Sequence, residues 1–148
     1  MNDFQQKLMD SFPNLFEKDE NGNLIPPRCG IYCPVGWENL VFTLCESINI
    51  KLERGNVIYD REEKIYKSTE IKPVKILQIK EKFAGLRFYH TSDDPYINGL
   101  VNMAENMSFN ICEVTGNKGV PCSNGSWIKT LSLETIKQNE QFKEYTPH

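Results

Sequence analysis

The stretch "KILQIKEKFAGLRFYHT", residues 75 to 91, constrains the fold more than any other, because two alternating runs flank the small pair Ala84-Gly85. Alternation with period two marks a half-buried strand, and glycine supplies the positive φ that tight hairpin turns require. The stretch predicts an antiparallel β-hairpin. With Ala84-Gly85 as the two loop residues, Phe83 stands opposite Leu86, Lys82 opposite Arg87 and Lys80 opposite Tyr89. Ile79, Phe83, Leu86 and Phe88 then turn to one side, with Glu81 and His90 among them, while Gln78, Lys80, Lys82, Arg87 and Tyr89 turn to the other. One face belongs to a core and the other is cationic.

A hairpin alone cannot bury its apolar face, and the rest of the chain offers helices to cover it. Phe4, Leu8 and Phe12 recur at helical spacing before Pro13, which limits that helix. Trp37, Leu40, Val41, Leu44, Cys45, Ile48 and Leu52 form one continuous stripe of period 3.6, with Gly55 and Asn56 suited to its C-terminal end. In residues 92–108 Asp94 is the N-cap and Pro95 the first helical residue, ahead of Ile97, Leu100, Val101, Ala104 and Met107 on one face. "NVIYD" and "KIYKS" read as short strands that could pair, "CEVTGNKGVPCSNGSWIKTL" as two extended segments around a Gly-rich loop, and "LETIKQNEQF" as a terminal helix. Residues 17–30 read as a surface loop. With no repeat or linker in view, the expectation is one α+β domain over residues 1–148: a mainly antiparallel sheet with a central β-hairpin and two or three amphipathic helices packed on it.

At 148 residues the chain is long enough to bury a core without metals or disulfides. It has no apolar run of membrane-spanning length, and "MNDFQQKLMDSF" lacks the basic and apolar regions of a signal peptide, so a cytoplasmic protein away from membranes is expected. Five cysteines without a secretory signal fit reduced thiols, and Cys45, inside its stripe, reads as a packing residue. The net charge of -3 opposes an extended grip on a polyanion, which needs many phosphates neutralised at once. An anion bound by this chain would be held locally.

"FPNLF", "GWENLVFTLCESI", "QIKEKFAGLRFYH", "MAENMSFNICEVTG" and "GSWIKTL", in this order, resemble a widespread and mostly uncharacterised family of small phage and prophage proteins. The resemblance spans most of the chain outside residues 53 to 71. Relatives of this kind carry a Cys-x-x-Cys and a later Cys-x-x-His, which imply a small zinc ribbon. Here the corresponding positions are Cys112, Thr115, Ser132 and Thr135, so the resemblance implies a degenerate ribbon whose metal has been lost.

The chemistry-bearing residues leave three classes of function. His90 with Asp93 or Asp94 could serve a hydrolase, but Asp94 already reads as a cap and the spacing matches no motif; His148, as the last residue, is expected to fray. Cys29, Cys33, Cys112 and Cys122, spaced Cys-x3-Cys and Cys-x9-Cys, could hold a zinc ion only if their segments converge, and ordinary thiols are the simpler reading. No cofactor and no catalytic residue is expected. The cationic strand face, Gln78, Lys80, Lys82, Arg87 and Tyr89, combines a guanidinium fork, point charges and a ring that can stack, which suits a small anionic ligand of nucleotide type. In a phage setting the resemblance implies counter-defence: sequestration of a nucleotide signal of the host, without turnover. The alternative is a degenerate zinc-ribbon interaction module whose basic hairpin docks on a host protein or nucleic acid. Oligomeric state, including a homo-oligomer, stays open.

Overall fold

The computed structural model of the protein describes residues 2–139 and 141–145; His148 lies outside the described residues. The fold is α+β, with four α-helices and nine strands in small antiparallel sheets among the described residues. Helix α1, Asp3–Ser11, starts where the Asn2 side chain accepts from the Gln5 N–H at 2.7 Å, and gives way to a 3₁₀ turn at Pro13–Leu15. Within the expected loop, β1 (Glu17–Lys18) and β2 (Leu24–Ile25) form a minimal hairpin. The long stripe becomes α2, Glu38–Arg54, closed by Gly55 at φ 69. Strands β3 (Asn56–Asp60) and β4 (Ile65–Thr69) pair, as do β5 (Ile76–Lys82) and β6 (Gly85–His90). Helix α3, Pro95–Ser108, is capped by Asp94, whose carboxylate accepts from the Tyr96 and Ile97 N–H groups.

After α3, β7 (Val120–Ser123) pairs with β8 (Ile128–Leu131), and β7 also pairs with β9 (Lys143–Glu144). The terminal helix α4 is limited to Leu133–Gln138, shorter than the sequence pattern suggests. The physical reason is Phe142, which leaves the helix to join Cys112, Cys122 and Leu131 in a small second apolar cluster. The main cluster gathers α1, α2, α3 and the inner face of β5–β6, with Leu8, Leu15, Ile31, Trp37, Val41, Ile48, Ile79, Leu86 and Ile97 fully buried. Among the described residues no helix is long and apolar enough to cross a membrane.

The strands do not merge into one sheet, because both edges of the central hairpin are already occupied. On the β5 side, Tyr32 N–H donates to Ile79 O at 2.8 Å and Ile79 N–H to Gly30 O at 3.2 Å. On the β6 side, side chains of α3 take the place of a strand: Ser108 Oγ accepts from Leu86 N–H and Glu105 Oε2 from Phe88 N–H, both at 2.9 Å. Buried backbone donors must be satisfied, and here a loop and a helix do it.

The hairpin register corrects the sequence expectation. The two loop residues are Phe83 and Ala84, at φ 52 and 69, and Gly85 begins β6. Lys80 therefore faces Arg87, Gln78 faces Tyr89 and Lys82 faces Gly85, rather than Lys82 facing Arg87 and Lys80 facing Tyr89. Gly85 instead lies against the Phe109 ring just beyond α3, which a Cβ there would have to displace. Positive φ at both loop positions matches the right-handed strand twist, so the turn is sound but falls on residues that resist it. Because each pairing moves by two residues along one strand, the division of side chains between faces survives. Ile79, Leu86 and Phe88 are buried as expected, whereas Phe83 leaves the core and is 68% exposed.

Candidate functional site

On the outer face of β5–β6, Gln78 lies across from Tyr89 and Lys80 across from Arg87, with Lys82 nearer the tip. All five residues of the expected cationic face are thus brought together. Lys80 Nζ stands 6.0 Å from the Tyr89 ring centroid and Lys82 Nζ 5.6 Å from that of Phe83. Gln78 is tied down, its amide donating to Cys29 O at 3.2 Å. Among the described residues, neither Lys80, Lys82 nor Arg87 forms an ion pair with a carboxylate. Two like charges directly opposite, as Lys80 and Arg87 are, weaken strand pairing by about 0.2–1 kcal/mol.

The carboxylates nearest the tip are spoken for by another cation. Lys129 Nζ lies 3.5 Å from Glu81 Oε1 and 3.4 Å from Glu113 Oε1. Glu113 is buried and also accepts from Thr130 N–H at 2.8 Å; burial pushes its carboxyl up, and the Thr130 and Lys129 donors pull it back. Thr130 Oγ1 in turn donates to Ala84 O at 2.9 Å. These links brace the β7–β8 hairpin against the tip of β5–β6. Between the two tips lies a cavity of about 300 Å³ bordered by Glu81, Lys82, Phe83, Ser126, Trp127 and Ile128. Of the principal cavities, this one reaches the cationic face, at Lys82. Trp127 escaped the sequence reading, although the Asn124-Gly125 turn ahead of it is a hairpin signal and a tryptophan beside it has little to bury against.

His90 is half-buried and its Nδ1 accepts from Ser92 N–H at 3.1 Å, while burial pushes its pKa down. Asp94 is committed to capping α3 and to the Asn56 amide at 3.2 Å. The structure does not join His90 to Asp93 or Asp94 by a hydrogen bond or ion pair among the described residues.

The four thiols of the alternative metal set are divided. Cys29 is exposed and Cys33 packs against the main cluster, whereas Cys112 and Cys122 sit in the second. No group of three or more His, Cys, Asp or Glu side chains suited to a metal occurs among the described residues. The positions marked by the ribbon resemblance do converge: Cys112 Sγ lies 3.7 Å from Thr135 Oγ1 and accepts from Thr115 N–H at 3.4 Å, and Ser132 Oγ lies 2.8 Å from Thr135 Oγ1. One thiol and three hydroxyls do not fit zinc, which takes thiolate, imidazole or carboxylate. A hydrogen-bonded cluster occupies that place. Burial pushes the Cys112 thiol up, but donors from the Thr115 hydroxyl and the backbone of Thr115, Ser132 and Val114 outweigh it and bring the pKa down to about 6.

No family model, curated protein or solved structure matches the chain.

Proposed function

We propose that this protein binds a compact anionic ligand of nucleotide type on the outer face of β5–β6 and releases it chemically unaltered. The observation that carries this reading is the pairing of Lys80 with Arg87, two cations held opposite each other without a carboxylate partner among the described residues, flanked by Lys82, Tyr89 and Gln78. A phosphate set over that face would bridge the strands, take a forked contact from the guanidinium and remove the repulsion. The acidic chain as a whole favours a small anion over a long one. Release without turnover is supported by two observations: the Asp94 carboxylate is engaged in capping, and among the described residues no hydrogen bond or ion pair joins His90 to a carboxylate. The resemblance to phage proteins extends this to a role, the sequestration of a nucleotide signal used in host defence.

The test is a calorimetric titration with inorganic phosphate and a panel of linear and cyclic nucleotides, followed by denaturation and analysis of what is released. A true ligand should stabilise the fold by about 2.7 kcal/mol at a hundredfold excess over Kd. Arg87→Ala should weaken its binding by about 1.5–3 kcal/mol while leaving the unliganded fold intact. A panel without any binder, or an unchanged Kd in Arg87→Ala, would sink the proposal; a cleaved nucleotide would revive the hydrolase reading.

The interaction-module reading has one observation in its favour: Lys80, Arg87 and Tyr89 border none of the principal cavities. It requires that an acidic protein surface or an oligonucleotide bind far more tightly than any mononucleotide, with a steep salt dependence in the oligonucleotide case.

A further inference from the structure

We propose that the cleft between Phe83 and Trp127 is a stacking site for a planar aromatic ring, the base of a nucleotide whose phosphate reaches Lys82 and the cationic strand face. The phosphate half rests on the proposed anion site; the ring half stands on its own geometry. Phe83 and Trp127 project from the tips of two different hairpins, are 68% and 67% exposed, and border the same cavity of about 300 Å³, at the small end of the range for ligand sites. Ser126, Ile128 and Glu81, whose carboxylate is paired with Lys129, complete its wall. Exposed aromatic faces beside a cation are what nucleobase platforms offer, since every base has a π-face.

The turns that carry the two rings are pinned from behind. Ala84 is buried, and its carbonyl accepts from Thr130 Oγ1 at 2.9 Å, which pins the turn that carries Phe83. Lys129 ties Glu81 on β5 to Glu113. Trp127 N–H donates to Asn124 Oδ1 at 2.7 Å in the turn that carries Trp127. With the backbone of both turns pinned, the freedom left for a ligand to fix is that of the two side chains.

The backbone supplies an independent reason. Phe83 adopts φ 52, a left-handed conformation that suits Gly, Asn or Asp and is unfavourable for a bulky aromatic residue. The ring packs into neither apolar cluster and has only the Lys82 ammonium, 5.6 Å from its centroid, as a favourable contact within the fold. Strain retained at an exposed aromatic side chain marks a residue kept for what it touches from outside.

Trp37 is fully buried, so a change in exposed tryptophan emission reports on Trp127. The experiment titrates the intact protein with the four ribonucleoside monophosphates, the matching nucleosides and ribose 5-phosphate, following fluorescence and, in parallel, calorimetry. At least one monophosphate should quench the emission saturably, and ribose 5-phosphate should not. Phe83→Ala and Trp127→Ala should each weaken that monophosphate by about 10- to 100-fold. Phe83→Asn should raise the melting temperature by relieving the left-handed strain, yet bind as poorly as Phe83→Ala; that gain distinguishes loss of a ring from loss of the fold. If a nucleoside quenches but Arg87→Ala and Lys82→Ala leave the monophosphate Kd unchanged, the ring site stands and the anion site falls. If the monophosphate binds equally well in wild type, Phe83→Asn and Trp127→Ala, the ring site falls and the anion site stands. Absence of quenching by all four monophosphates overturns the ring site outright.

Discussion

Two hairpins of similar length, β3–β4 and β5–β6, meet opposite fates in this molecule. In β5–β6 one face is sealed by the main cluster, one edge by Gly30–Tyr32 and the other by Ser108 and Glu105 of α3. In β3–β4 Val57, Ile58, Tyr59, Ile65 and Tyr66 are all exposed, Tyr66 at 77%, and the hairpin is anchored at its base, where Asn56 meets Asp94 and Ser68 meets Arg54. Its own internal supports are the tilted Tyr59–Tyr66 ring pair at 5.1 Å and the Lys67 ammonium, 3.1 Å from both Asp60 and Glu63. An isolated two-stranded ribbon is marginal in water, so such cross-strand pairs carry what little stability it has. The comparison shows that strand propensity makes a hairpin and that burial of one face makes it rigid enough to present a site.

The largest effect that would separate the two is Phe88→Ala, expected to cost about 3–5 kcal/mol because the ring is buried in the main cluster. Urea denaturation measures it, and a loss under about 1 kcal/mol would mean that β6 is not packed as described. Next comes Ser108→Ala, which leaves the Leu86 N–H buried without an acceptor and should cost about 1–3 kcal/mol. Hydrogen exchange should localise the damage to β6, and unchanged protection there would show that α3 does not act as a surrogate strand.

A third effect acts through pH on the region that braces the β5–β6 tip. The folded pKa of Cys112 lies near 6, below its ordinary 9.0, so the thiolate contributes stability that is fully present above the unfolded pKa and is lost as pH falls through about 6. The raised thiols of Cys33 and Cys122 act in the opposite direction at alkaline pH, so the informative quantity is the difference between wild type and Cys112→Ser. That difference should shrink between neutral pH and pH 6; a constant gap would place the Cys112 pKa outside this window. The smallest effect belongs to the free hairpin: Tyr66→Ala should change stability by no more than about 0.5 kcal/mol. A loss comparable with that of Phe88→Ala, growing with protein concentration, would show instead that β3–β4 is covered by another copy of the chain.

Much of this contrast was legible in residue order, and the exceptions are instructive. Asp94-Pro95 announced the start of α3, Gly55 the end of α2, and the alternation of Ile79, Leu86 and Phe88 against Lys80, Arg87 and Tyr89 announced the two faces of the hairpin. These are local effects, set by capping, backbone conformation and side-chain period, and a few neighbouring residues suffice to specify them. The same pattern could not tell β3–β4 from β5–β6 in exposure, because nothing in "NVIYD" or "KIYKS" says whether a helix will lie against it.

The register lay beyond the local pattern. Gly85 looked like a turn glycine; in the structure it begins β6 with the Phe109 ring against it, and the turn falls on Phe83 and Ala84. The cleft of Phe83 and Trp127 was invisible for the same reason: it exists only because Thr130 and Lys129 dock one hairpin tip against another. The sequence by itself determined α1, α2 and α3, the caps at Asp94 and Gly55 and which side chains share a strand face, since those follow from geometry within a single segment. Tertiary structure alone decided the register, the paired cations at Lys80 and Arg87, and the meeting of two exposed rings, since each requires segments distant in the chain to pack against one another.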